Sequence, residues 1–265
     1  MNKEKKMGLV LGSGGGKGFM HIGVLKTLQE NDITPDYVVG SSIGALIGAL
    51  FCRFGDYKKV EDIVLNFDWK DFSSLLSLNI NKGILDSRKV VDKLNVLLES
   101  SDFDDLEIPF ESVATNFYTA QAHYFDKGSL AEAVYASMAF PMLIEPLKRE
   151  DGVFWDGGLS DPLPVERARK KTDVVLAVNL DKYPQFTKNK IGVSPYKTTR
   201  KAIKSLQHHF AAYCGGQADV LLEPEIEEEG FLSISRIIKK EKGRELIEKG
   251  SEITSSKLSI IKSLK

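Results

Sequence analysis

The chain has 265 residues, 42% of them hydrophobic, and sets 36 Lys and Arg against 37 Asp and Glu for a formal net charge of -1. That length suffices for one large buried core, so a single domain over residues 1–265 is expected, with its core at about 7–222 and a C-terminal helical extension at about 231–265. The balanced charge excludes the basic footprint of a nucleic-acid binder. The apolar run 7–11 is too short for a signal-peptide core, and the run 43–51 falls short of the roughly 20 residues of a spanning helix.

Residues 7–11 read as a short buried strand, 12–18 as a glycine loop, and the spacing of Ile22, Leu25 and Leu28 as a helix. Asn31, Asp32 and Pro35 close that helix, 37–39 form a second strand, and the small-residue run 42–51 forms a buried helix. From 57 to 99 the pattern is mostly helical. There Leu75, Leu76 and Leu78 lead into an Asn-Lys-Gly turn and a helix at 87–98, a region expected to cover the site. A hairpin follows, 113–118 and 122–125 around Thr119-Ala120-Gln121, and then a helix at 130–138. Pro141 and Pro146 force extended chain, and further strands fall at 153–155, 174–178 and 220–222. Strands alternating with helices point to the α/β class, a three-layer α/β/α sandwich around a mostly parallel sheet.

Cys52 and Cys214 match no metal or redox spacing and read as reduced thiols, so the expectation is a cytoplasmic protein with no metal and no cofactor. Seven cations and no acid occupy residues 182–204: Lys182, Lys188, Lys190, Lys197, Arg200, Lys201 and Lys204. A solvated face explains such a stretch, and so does peripheral contact with anionic lipid head groups.

Gly40-Ser41-Ser42-Ile43-Gly44 fits the G-x-S-x-G template with Ser42 central, directly after a strand and at the start of a small-residue helix. Such a turn leaves a serine hydroxyl projecting at a helix N-terminus; the plainer alternative is that Ser41 and Ser42 merely cap the helix. The glycine loop, Gly12-Ser13-Gly14-Gly15-Gly16-Lys17-Gly18, fails the P-loop spacing, because no Ser or Thr follows Gly16-Lys17. It fails the dinucleotide fingerprint too, because the third glycine counted from Gly12 falls on Lys17. What fits is a turn whose N–H groups converge on a developing oxyanion. Lys17 either adds positive charge there or points to solvent and pairs with a carboxylate.

A nucleophilic serine needs a base. Of the four histidines, His21 suits helix packing, His123 falls in a strand, and His208 and His209 fall within a helix at 202–212. Asp156 ends a strand and precedes Gly157-Gly158, which lets the backbone approach closely. It can take the proton directly if partial burial raises its basicity, or it can simply form an Asx-turn.

Taken together, Gly14-Gly15-Gly16-Lys17-Gly18, Gly40-Ser41-Ser42-Ile43-Gly44 and Asp156-Gly157-Gly158 resemble the patatin-like phospholipase family, especially its compact bacterial cytosolic members. The likeness extends through Ala136-Ser137-Met138-Ala139-Phe140-Pro141 and Asp161-Pro162-Leu163-Pro164-Val165. It implies a modified α/β-hydrolase sandwich and a carboxylic ester hydrolase acting on lipids, of the phospholipase A type, with a Ser-Asp dyad. By that resemblance Ser42 is the nucleophile, Asp156 the base, and Gly14, Gly15 and Gly16 the oxyanion hole, flanked by Lys17, Gly18, Gly40, Gly44, Gly157 and Gly158. Gly16-Lys17 stands where many relatives have Ala-Arg, and Asn116 where an Asp is common. A non-catalytic, lipid-sensing or regulatory scaffold on the same fold is the alternative; head group, acyl length and oligomeric state stay open.

Overall fold

The computed structural model describes residues 5–69, 87–141, 143–181, 195–225 and 240–264. In chain order its elements are β1 (Met7–Leu11), α1 (Phe19–Gln29), β2 (Tyr37–Ser41), α2 (Ile43–Phe54), α3 (Tyr57–Asn66) and α4 (Ser87–Leu97). There follow β3 (Phe110–Asn116), β4 (Ala122–Phe125), α5 (Leu130–Met138), β5 (Leu147–Arg149), β6 (Gly152–Asp156) and α6 (Val165–Arg169). Last come β7 (Val174–Val178), α7 (Pro195–Gly215), β8 (Val220–Leu222), α8 (Lys240–Ser256) and α9 (Leu258–Leu264). The Leu75, Leu76 and Leu78 segment, its Asn-Lys-Gly turn, and Lys182, Lys188 and Lys190 lie outside the described residues.

Side-chain alternation along the strands builds three layers. Met7, Leu9 and Leu11 of β1, Val38 of β2, and Leu176 and Val178 of β7 join one core, shared with α1 and α2. Val10, Tyr37, Val39, Val175 and Ala177 face the other way, onto Val165 and Ala168 of α6 and Ala211 of α7. A period of two in a central strand buried on both faces produces this division. On the first face α8 lies against α1 with backbones touching: a Cβ on Gly23 would stand 1.9 Å from the Ile247 carbonyl, and one on Gly250 2.1 Å from that of Met20.

Among the described residues the strand order is β5-β6-β3-β2-β1-β7-β8, with β4 also paired to β3. From β8 to β3 all pairings are parallel, as the alternation of strands and helices requires, whereas β4, β5 and β6 are antiparallel. Short connections explain the change, since a turn between β3 and β4 and a tight link between β5 and β6 leave no room for a crossover helix. β3 begins at Phe110, ahead of the hairpin strand expected at 113, because Phe110, Glu111 and Ser112 pair with Val38, Val39 and Gly40.

The register on β3 positions the site. Val113 pairs with Ser41 and with Tyr124, and Ala114 pairs with His123 and with Asp156. A strand residue has one bridge partner per edge, so β4 occupies one edge of β3, and β2 and β6 share the other. Parallel β2 runs up that edge to Ser41 while antiparallel β6 runs down it to Asp156. The two strands therefore end head to head at adjacent rungs.

Candidate active site

Ser42 and Asp156, 114 residues apart in sequence, are the first residue beyond β2 and the last residue of β6. The Ser42 hydroxyl donates to Asp156 Oδ2 at 2.8 Å. Ser42 has φ 55° and ψ -120°, a positive-φ conformation outside the ordinary regions that costs a non-glycine residue on the order of 1–3 kcal/mol. The turn is held in part because its N–H donates to the buried Ser137 hydroxyl at 2.8 Å. Gly44 lets α2 leave across the end of β1: a Cβ there would stand 2.0 Å from the Leu11 carbonyl. A Cβ on Gly40 would likewise stand too close to the Gly44 carbonyl, at 2.4 Å.

Asp156 is 2% exposed. Burial pushes its carboxyl up to about 6, while the Ser42 hydrogen bond, the nearby Lys204 ammonium and the Gly158 N–H pull the other way. Its second oxygen, Oδ1, accepts the Gly158 N–H at 2.8 Å. The turn-forming and proton-accepting alternatives are thus compatible, one carboxylate oxygen serving each. A carboxylate of raised basicity, aligned on a hydroxyl, is able to take its proton. Gly157 packs against the Val113 carbonyl, where a Cβ would come within 2.3 Å, and so brings this turn down onto β3.

The glycine loop leaves β1 beside β7. Gly12 N–H donates to the Val178 carbonyl at 3.1 Å and Ser13 N–H to that of Pro162 at 2.9 Å. Gly14 packs on Leu180, and Gly18 packs on Ile43, the first residue of α2, so loop and serine turn are neighbours. The 3-10 turn Gly15–Gly18 leads directly into α1, and its first N–H groups have no carbonyl of that turn to bond. Gly15 has φ 56°, which favours glycine, and open space where a Cβ would sit. Lys17 pairs with a carboxylate, as its plainer reading expects, but from a largely buried position rather than from solvent. Its ammonium donates to the Leu180 carbonyl and lies 3.4 Å from Asp181 Oδ1.

No histidine accepts the Ser42 hydroxyl. His21 is fully buried and donates from Nε2 to the Gly12 carbonyl at 2.9 Å; burial pushes it down to about 4, so it bears no charge at neutral pH. His123 packs on the rings of Phe125 and Phe154. His208 donates from Nδ1 to the Asp181 carbonyl, and His209 is exposed.

Several residues at the site had no role assigned from sequence. Ser137 lay within a matched motif but without a function. Asp181 follows β7, across the point where strand order reverses from β1 to β7. Polar residues at such a point, beyond the C-terminal ends of parallel strands, are the signal that could have found it. Lys204, read as part of a surface stretch, turns inward to 3.9 Å from Asp181. Gln207 is 3% exposed, has no hydrogen-bond partner for either amide atom among the described residues, and abuts Gly158. Among the described residues, no group of three or more His, Cys, Asp or Glu side chains is placed to hold a metal ion.

Comparison with known proteins gives this geometry a family context. The patatin-like phospholipase family model matches residues 9–169, which includes the glycine loop, the serine turn and Asp156. An uncharacterised NTE family protein of Mycobacterium bovis is 32% identical over 182 residues, covering 68% of this chain and 50% of the relative. Lysophospholipase NTE1 of Coccidioides immitis is 32% identical over 191 residues, covering 66% of this chain but 12% of the relative. The chain therefore spans about half the length of the mycobacterial relative and a small part of the fungal one. In fold it is similar to VipD from Legionella pneumophila, with TM-score 0.52 at 15% identity over 96% of this chain and 67% of the other.

Proposed function

Because the chain belongs to the patatin-like phospholipase family, we propose that it is a lipid acyl hydrolase of the phospholipase A type, with Ser42 as nucleophile and Asp156 as base. The observation that carries this proposal is the 2.8 Å hydrogen bond from the Ser42 hydroxyl to a buried carboxylate raised to about 6. Asp156 takes the hydroxyl proton as Ser42 Oγ attacks the ester carbonyl, forming a tetrahedral intermediate. The N–H groups of Gly14, Gly15 and Gly16 receive its negative oxygen, and one such donor is worth about 3 kcal/mol of barrier. Collapse expels the alcohol, which leaves with the proton from Asp156, and Ser42 keeps the acyl group. Water then gives its proton to Asp156 and attacks the acyl-serine, releasing the fatty acid and restoring both residues.

Lysophospholipids are the first substrates to test, because the name of the fungal relative points to them. On the same footing we place the protein in the cytoplasm with peripheral membrane contact through the 182–204 stretch, its inward-turned Lys204 excepted. The exposed Leu206, Phe210 and Tyr213 on the outer face of α7 support that contact, and no helix of the described residues is long and apolar enough to cross a membrane. Purified protein incubated with a panel of phospholipids, lysophospholipids and short p-nitrophenyl esters tests the chemistry. Ser42→Ala and Asp156→Asn are each expected to abolish turnover while the fold persists; full activity in either rejects the dyad.

A further inference from the structure

The first turn of the glycine loop, the segment after β7 and the inner face of α7 meet in a buried cluster of charge beside the Ser42 and Asp156 pair. At its centre is Asp181, 8% exposed. Its Oδ2 accepts the Ser13 hydroxyl at 2.8 Å, and its Oδ1 lies 3.4 Å from the Lys17 ammonium. Lys204 approaches Oδ2 at 3.9 Å, the His208 ring donates to the Asp181 carbonyl, and the Asp181 N–H is held by Asn179 Oδ1 at 3.0 Å. Burial alone would push the Asp181 carboxyl up, but the Lys204 and Lys17 ammoniums and the Ser13 hydroxyl hold it below the usual carboxylate range. It is therefore an anion at neutral pH, and two of its three side-chain partners among the described residues, Ser13 and Lys17, flank Gly14, Gly15 and Gly16.

A buried carboxylate is costly unless it is paired and hydrogen-bonded. The molecule satisfies this one from the loop, through Ser13 and Lys17, and from α7, through Lys204. A loop of glycines has no side chains of its own to fix it, and open space adjoins Gly15. Ser13 and Lys17 supply the missing handles, and Asp181 grips both. Lys204 faces two carboxylates at once, Asp181 by contact and Asp156 through space, so the two halves of the site feel one charge.

We propose that Asp181 is a positioning residue that clamps the glycine loop through Ser13 and Lys17 and, with Lys204 between them, ties that loop to the carboxylate of Asp156. The clamp keeps the loop N–H groups aimed before any oxyanion forms, so its effect falls on the chemical step more than on substrate binding. The charged groups facing Asp156 are Lys204 from α7, which favours its ionised form, and Asp181 from beyond β7, which opposes it. Asp181 in turn faces Lys17 of the loop, Lys204 and His208 of α7, and His21 of α1, which feels its charge.

This proposal rests on the Ser42 and Asp156 chemistry, and its test separates the two. Steady-state hydrolysis of a soluble p-nitrophenyl ester is followed against pH in wild type, Ser42→Ala, Asp181→Ala, Asp181→Asn, Lys204→Met and Lys204→Arg, each checked for native folding by circular dichroism. Asp181→Ala is expected to lower kcat on the order of 10²-fold with little change in KM, as small misplacements of catalytic groups do. Asp181→Asn keeps an acceptor for Ser13 and should lose less. The midpoint of the acidic limb should move down in Asp181→Asn and up in Lys204→Met, with Lys204→Arg restoring it. Opposite movements of this kind do not follow from a merely structural role. Should Asp181→Ala fail to fold, the Asn and Met variants carry the test through their pH limbs. An inactive Ser42→Ala beside Asp181 variants of wild-type kcat, or limbs that stay put or move together, overturns the clamp alone; an active Ser42→Ala overturns the dyad.

Discussion

Replacing Asp156 by Asn should stabilise the fold while removing activity, and the size of the gain should depend on pH. Asp156 is 2% exposed, and burial raises its carboxyl to about 6 from an ordinary value of 3.8. Between those values the folded protein binds more protons at this site than the unfolded chain, so wild-type stability falls as pH rises through that window. At pH 8 both states are ionised and the full difference, about 3 kcal/mol, opposes folding; at pH 5 about 1.5 kcal/mol of it remains. Asn occupies the same volume, carries no charge, keeps Oδ1 for the Gly158 N–H and can donate its amide N–H to Ser42 Oγ, so neither partner is left unpaired. Urea unfolding of both proteins at pH 5 and pH 8 measures the gap. Asp161, also raised to about 6 by burial, is common to both proteins and cancels. The variant should lead by about 3 kcal/mol at pH 8, roughly 6–12 °C in Tm, and by about half that at pH 5. A gap independent of pH, or a variant less stable at pH 8, would refute the link between burial and basicity.

Hydrolysis of a soluble ester should rise with pH through a single step near 6, because only ionised Asp156 can accept the Ser42 proton; a flat profile from pH 5 to 8 counts against its role as base. Ser137→Ala leaves the Ser42 N–H without its acceptor inside a strained turn, so a loss of about 1–3 kcal/mol in stability is expected in urea melts, along with reduced kcat. Gly23→Ala puts a methyl group where the Ile247 carbonyl stands and should cost about 1–3 kcal/mol by parting α1 from α8, read as a lower Tm.

The resemblance identified the family correctly, and the alternation of strands and helices revealed the layered fold. Glycine spacing carried much of this information, because close approach at Gly44 and Gly18 leaves a mark in the sequence that depends little on distant context. The antiparallel end of the sheet was less legible. Leu147 to Arg149 is a three-residue edge strand whose pairing depends on β6, and its two exposed cations lack the alternation that marks a half-buried strand. The end-to-end meeting of β2 and β6 could not be read at all, since it depends on which edge of β3 each strand takes. Asp181 and Lys204 escaped for a different reason. A lysine in a basic stretch looks like a solvated face, and only the path of α7 shows that Lys204 points inward. Ser137 was visible as part of a motif, but its bond to Ser42 N crosses 95 residues and has no local signature.

The central claim is that Asp156 activates Ser42. Treatment with a fluorophosphonate probe, followed by mass spectrometry of the peptides, tests it most directly. The prediction is a single adduct on Ser42 in the wild type, absent in Ser42→Ala and strongly slowed in Asp156→Asn. An adduct on another serine, or lipid binding with Ser42 unlabelled, would contradict the claim, the latter favouring a non-catalytic lipid-binding scaffold.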